Sequence, residues 1–168
     1  MSNRLKEEID DILYFHRFLP GRSSGGDVEF AAVDNESDLS DEKIRIDAFR
    51  YIYVSEDAFD FIELIFSELS EESSFSKYSF CHFDKEKIQT LIDRLAKFDN
   101  ELAVHDTLDS FCSIWNVYKE KWRSESIQKN YSDTWEYFRF AIRLVCIQLK
   151  EFFELCIKEK KSVWMLGI

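Results

Sequence analysis

The side chains best suited to chemistry in this chain are few and scattered. Cys81, His82 and Asp84 lie close together in sequence. A thiolate, an imidazole and a carboxylate are zinc donors, and a thiol beside an imidazole is the start of a nucleophilic site. Neither set is completed. No fourth zinc ligand stands at a usual spacing, and no G-x-S-x-G elbow, P-loop or G-x-G-x-x-G turn occurs. His105-Asp106 is an isolated pair, and a metal phosphohydrolase needs further His and Asp ligands. Asp34-x-Glu36-x-Asp38 alternates its acids as a calcium loop does, but Leu39 stands where that loop needs Gly and Arg45 where it needs Glu. His16, the remaining histidine, sits on an apolar stripe. The residues point to no catalytic, metal or cofactor site, and the expectation is a protein that is not an enzyme.

Charge is the stronger signal. Residues 27–72 carry 15 Asp and Glu against Lys43, Arg45 and Arg50, while the whole chain has a net charge of −11. Residues 1–110 hold 26 acids and 12 bases; residues 111–168 hold 7 acids and 10 bases. A charge imbalance of this kind favours a basic partner and works against binding a polyanion. Like charges this close also cost folding stability by self-repulsion, which an opposing surface relieves. The residues expected to meet that partner are Asp34, Glu36, Asp38, Asp41 and Glu42 in one loop, Glu56, Asp57, Asp60 and Glu63 on one helix, and Glu71 and Glu72 in the connector beyond it. Phe30, Tyr51, Tyr53, Phe75 and Tyr78 flank these acids as candidate anchors. Lys119, Lys121, Arg123, Lys129, Lys158, Lys160 and Lys161 form a basic strip, but bases near helix C-termini are favoured for dipole reasons alone.

These residues must be positioned by a scaffold, and its composition favours helices. One Pro and four Gly in 168 residues leave long uninterrupted stretches. Residues 4–18 have an amphipathic stripe through Leu5, Ile9, Ile12 and His16, which Pro20-Gly21 ends. Residues 20–41 are loop-like, with a short strand over Val28–Val33. Residues 42–54 alternate as a strand does, with a helix from Asp41 as the rival. Ser55 reads as an N-cap for a helix to about Leu69, with Phe59, Ile62, Phe66 and Leu69 on one side and Glu56, Asp60 and Glu63 on another. A Ser-rich connector spans Glu71–Phe83. Asp84 caps a helix to about Leu102 with an apolar stripe of Ile88, Leu91, Leu95, Phe98 and Leu102. Another helix follows near Thr107–Ser124. The last runs from Ser132 or Asp133 to about Lys161 and is apolar on nearly every side, so it is expected at the centre. The apolar tail from Val163 to Ile168 is expected to fold back on the bundle. The fold expected is mainly α: a single-domain bundle of about five helices over 1–168, with at most a small β element within 28–54.

Cys81, Cys112, Cys146 and Cys156 are widely spaced and form no CxxC pair, which fits free thiols in a reducing compartment. The first residues, Met-Ser-Asn-Arg-Leu-Lys-Glu-Glu, have no apolar signal region, and no stretch reaches the uncharged length of about 20 residues that a membrane span needs. A cytoplasmic location with no membrane contact is expected.

The acidic Ser55-Glu56-Asp57 helix start, the middle helices with simple apolar stripes and the long C-terminal helix ending in Trp164-Met165-Leu166-Gly167-Ile168 resemble a bacterial immunity protein of a contact-dependent growth inhibition or polymorphic toxin system. The resemblance is one of type and lends no residue assignments. It implies specific binding to a cognate toxin domain, commonly a nuclease whose cleft is basic, so that carboxylates occupy phosphate positions. The alternatives are a nucleic-acid mimic that blocks a restriction or repair enzyme, an acidic adaptor for a basic protein, and a small hydrolase using Cys81, His82 and Asp84.

Overall fold

The structure, a computed structural model, describes residues 27–34, 44, 48–67, 69, 75, 78–114, 133 and 135–167. In chain order these form β1 (Asp27–Val33), β2 (Arg50–Ser55), α1 (Glu56–Ser67), β3 (Cys81–Phe83), α2 (Lys85–Val104), α3 (Leu108–Ile114), α4 (Trp135–Lys158) and β4 (Ser162–Leu166). The expected mainly α bundle is therefore corrected: the described residues build a mixed fold, helices on a four-stranded antiparallel sheet. The sheet order is β2-β1-β4-β3. The first-helix expectation over 4–18 lies outside the described residues.

The expected short strand within 28–54 is present and larger than expected. β1 pairs with β2 from Asp27 opposite Ser55 to Ala32 opposite Arg50. Both readings of 42–54 hold in part: Ile44 is helical and its carbonyl accepts from the Ala48 amide at 2.9 Å, and the strand begins only at Arg50. The C-terminal tail is not a flap on a bundle. As β4 it lies between β1 and β3, with Ala31 opposite Trp164 and His82 opposite Trp164 on its two sides. Cys81-His82-Phe83, assigned to the connector, is the third strand. Every residue of β1 and β4 is buried. In β4 the result is a continuous apolar run, Val163–Leu166, and such a run cannot be told from a tail or a helix segment by period alone.

One face of the sheet carries Val28, Phe30, Ala32, Ile52, Val54, Cys81, Phe83, Val163 and Met165, and this face packs with the helices into the main core. Phe30 is at its centre, with ring centroids 6.2 Å from Phe59, 5.3 Å from Phe66 and 5.8 Å from Phe153. α1 begins as expected, since the Ser55 hydroxyl accepts from the Ala58 amide at 3.3 Å. α2 is capped by Asp84, whose carboxylate accepts from the Lys87 amide at 2.9 Å, and the stripe Ile88, Leu91, Leu95, Phe98 and Leu102 is buried.

α2 and α4 lie antiparallel. Trp135 and Arg139 of α4 reach His105 at the end of α2, while Arg143 bonds Asp99 one turn and a half earlier on α2. The Arg143–Asp99 pair is two-pronged, at 2.7 and 3.5 Å, and this bond raises the pKa of the guanidinium. The predicted α4 stripe of Trp135, Phe138, Ile142, Val145, Leu149, Phe152, Phe153 and Cys156 is buried throughout. The expectation that α4 is packed on most sides needs correction, because Phe140, Leu144 and Ile147 are exposed on its outer side.

Candidate functional site

Of the acids singled out in the sequence, the described Asp34 and Glu56 lie apart. Asp34 follows the last residue of β1, and Glu56 follows Ser55, the partner of the first residue of β1. The two carboxylates thus belong to opposite ends of a seven-residue strand, on the order of 20 Å apart along the strand at about 3.4 Å per residue. Asp34 is exposed and paired with Lys161. Glu56, Asp60 and Glu63 lie along α1 as expected, but all three are half-buried and each is engaged within the chain. Asp57 lies in the first turn of α1. Glu36, Asp38, Asp41, Glu42, Glu71 and Glu72 lie outside the described residues.

The anchors divide as well. Phe30, Tyr51 and Tyr53 are buried and cannot meet a partner, and Phe75 packs against the core. Tyr78 is 61% exposed, and its hydroxyl donates to Glu56 Oε1 at 3.4 Å. Phe80, not among the anchors expected from the sequence, is 39% exposed and packs at a tilt against Trp164, 4.5 Å between centroids. Tyr78 is held against the end of β4 by Gly167. A Cβ at that position would stand 2.4 Å from the Tyr78 carbonyl carbon, so only glycine admits this approach. One corner of the molecule thus joins the start of α1, the Tyr78 backbone and the end of β4.

Beneath this corner lies the second face of the sheet, where the pairing sets Tyr53, Glu29 and Leu166 in one row and Tyr51, Ala31, Trp164 and His82 in the next. Asp27 and Glu29 are buried here, and each is engaged within the chain. His82 and Trp164 differ. Their rings lie 4.9 Å apart, and His82 Nε2 and Trp164 Nε1 are buried with no hydrogen-bond partner among the described residues. Burial lowers the His82 pKa; Asp84 opposes the shift and Lys87 adds to it.

The pleat separates the residues of the alternative Cys81–His82–Asp84 hydrolase. Cys81 belongs to the helix-facing core and His82, one residue on, to the opposite side of the sheet. Asp84 is occupied in capping α2. Of the cysteines whose surroundings are described, Cys81, Cys146 and Cys156 are free and buried, and burial raises the Cys156 thiol to about 12 and the Cys146 thiol further. Cys146 and Cys156 are packing residues without nucleophilic character at neutral pH. Among the described residues no group of three or more His, Cys, Asp or Glu is placed to hold a metal ion.

The structure gathers a different set that the sequence reading left as a lone pair. His105 Nε2 is 3.4 Å from Glu101 Oε2, and His105 Nδ1 is 2.6 Å from the Ser110 hydroxyl. The i,i+4 spacing of Glu101 and His105 was visible in the sequence; the return of Ser110 through the α2–α3 turn was not. Between α2 and α4 there is also a groove of about 350 Å³, lined in part by Leu95, Ala96, Cys146 and Lys150. Among the described residues no helix is long and apolar enough to cross a membrane.

Comparison of the chain with protein-family models, with curated proteins and with solved structures gives no match.

Proposed function

We propose that this chain is an immunity-type protein of the cytoplasm, which binds a basic toxin domain and blocks it by occupancy. The observation that carries the reading is the corner where Glu56 begins α1 beside the exposed rings of Tyr78 and Phe80. Large aromatic side chains, Tyr above all, are enriched in binding hot spots and interface cores, and the surrounding sequence is the most acidic of the chain. In this proposal Glu56, Asp60 and Glu63 supply the electrostatic attraction, and Tyr78 and Phe80 supply buried contact area. Complementary charge acts mainly on the rate of encounter and the aromatic anchors mainly on the lifetime of the complex. Asp34 is not part of this contact, since it lies at the far end of β1.

The test is a pull-down from the native strain with this chain as bait, followed by affinity measurement on the captured domain. A stoichiometric basic partner held more tightly at low salt is the expected result. Glu56→Lys is expected to weaken binding about tenfold or more at low salt, and Tyr78→Ser to accelerate dissociation. A captured partner whose affinity is unchanged by both substitutions would overturn the assignment of this corner. A nuclease-like partner encoded by a large secreted toxin gene directly before the gene for this chain supports the toxin; a restriction or repair enzyme would instead make the chain a nucleic-acid mimic.

A further inference from the structure

We propose that Glu101, His105 and Ser110 form an acyl-transfer site in which Ser110 is a nucleophile toward short-chain carboxylic esters. The proposal is independent of the partner-binding corner, which sits before the N-terminal end of α2, whereas this set sits at its C-terminal end, a 20-residue helix away.

Local structure explains how three ordinary residues come together. α2 ends at Val104, and His105 is its C-cap in an extended conformation, with its amide still bonded to the Glu101 carbonyl at 3.3 Å. Thr107 then starts α3: its hydroxyl accepts from the Ser110 amide at 3.2 Å and its carbonyl from the Phe111 amide at 3.1 Å. This tight turn brings Ser110 back over the imidazole. The base is held from behind. The His105 carbonyl accepts from Trp135 Nε1 and from Arg139 Nη1, both at 2.9 Å, and Arg139 also reaches Asp106 at 3.2 Å. The ring stands edge-on to the buried Phe111, with centroids 6.4 Å apart.

The geometry matches the roles of nucleophile, base and orienting carboxylate. Glu101 Oε2 stands 3.4 Å from Nε2, and in the tautomer with hydrogen on Nε2 the Nδ1 lone pair faces the serine hydroxyl. The His105 side chain is only 16% exposed, while Ser110 is exposed to an incoming substrate. Val104, 69% exposed and next to the base, offers apolar surface for a short acyl chain. In the reaction, Ser110 Oγ forms a bond to the acyl carbon as its proton passes to His105 Nδ1. The bond from that carbon to the alcohol oxygen breaks, and the alcohol leaves with the proton from Nδ1. Water then attacks the acyl-serine, giving its proton to Nδ1, and the carboxylic acid departs as Ser110 regains its hydrogen. Among the described residues, Glu101 from α2 pairs with the imidazole, and Asp106 and Arg139 meet beside it at the His105 backbone.

The experiment uses the full chain with a fluorophosphonate probe and with p-nitrophenyl acetate, followed by intact mass and peptide mapping. The expected result is a single adduct on Ser110, formed about 10²-fold faster than any adduct on S110A, in line with general-base assistance. The acetate ester is expected to give an acyl-protein of the same position. Glu101 is a positioning residue, and E101Q is expected to keep the adduct on Ser110 while slowing its formation, with part of the rate restored by the conservative E101D. Circular dichroism of S110A and E101Q establishes that both remain folded; Ser110 is exposed, so its truncation leaves the core intact. Labelling of Ser110 no faster than of other serines, ester turnover unchanged in S110A, or a labelling rate independent of pH between 5 and 9 would each overturn the proposal. Those outcomes leave partner capture unaffected, so the two readings fail separately.

Discussion

The two faces of the sheet are both buried, yet they differ in what they bury. The helix-facing side carries only apolar atoms from Val28, Phe30, Ala32, Ile52, Val54, Cys81, Phe83, Val163 and Met165. The other side mixes Ala31, Val33 and Leu166 with Tyr51, Tyr53, Trp164, His82 and the acids Asp27 and Glu29. An apolar face gains from burial without conflict, and its packing decides stability. A mixed face gains only where each polar atom finds a partner, and an unmet one costs free energy. The first face therefore defines the fold, and the second is where substitution can raise stability as well as lower it.

Truncation at the centre of the apolar face should have the largest effect. Phe30→Ala removes a ring packed against Phe59, Phe66 and Phe153 and should cost about 3–5 kcal/mol by chemical denaturation. A loss under about 1 kcal/mol would mean that this face does not dominate. Next comes the join between the two regions. Gly167→Ala drives a Cβ into the Tyr78 backbone and should cost about 1–3 kcal/mol, while also loosening Tyr78 from Glu56. If the variant has wild-type stability, the Tyr78 segment is not fixed by β4, and the binding corner loses its rigid support.

On the mixed face, Tyr51→Phe removes a hydroxyl that donates to the Ile44 carbonyl at 3.4 Å. The bond is long, and its loss should cost about 1 kcal/mol or less. A loss as large as that of Phe30→Ala would erase the distinction between the faces.

The same contrast explains what the sequence made legible. Asp84, Ile88, Leu91, Leu95, Phe98 and Leu102 specify α2 locally, through a cap and a 3.6-residue period, and the helix forms where they say. α4 is equally legible on its buried side. β1 was legible as a short strand over Val28–Val33 and β2 in part through the alternation within 42–54, but β4 was not, because it is buried on both faces and so loses the alternation that marks a strand. Reading Val163–Leu166 as a tail followed from that loss. β3 has three residues, too few for any period. The acidic column on α1 was legible as spacing, but not its distance from Asp34, which depends on the β1–β2 register. Glu101, His105 and Ser110 were legible only in pairs, since their meeting depends on the turn that Thr107 caps.

The smallest expected effect is also the most diagnostic, because its sign is opposite to the others. His82 contributes a buried Nε2 without a partner among the described residues, against the face of Trp164. His82→Phe removes the unmet polar atom and adds a third ring beside the tilted Phe80–Trp164 pair, so it should raise stability by about 0.5 kcal/mol. The gain should also depend on pH. Burial lowers the His82 pKa from its ordinary value of about 6.5, so on acidification the unfolded chain takes up this proton first. Stability from this group is therefore fully present above about 6.5 and declines as pH falls toward the lower folded-state pKa. Urea midpoints at pH 7.5 and pH 5.5 should show a larger drop for the wild type than for His82→Phe. Groups that titrate in both proteins cancel in that comparison. Parallel drops would mean that His82 is not titrating on the mixed face. A destabilised His82→Phe at pH 7.5 would mean that Nε2 does have a partner, and the two faces would then differ in composition but not in how well they are satisfied.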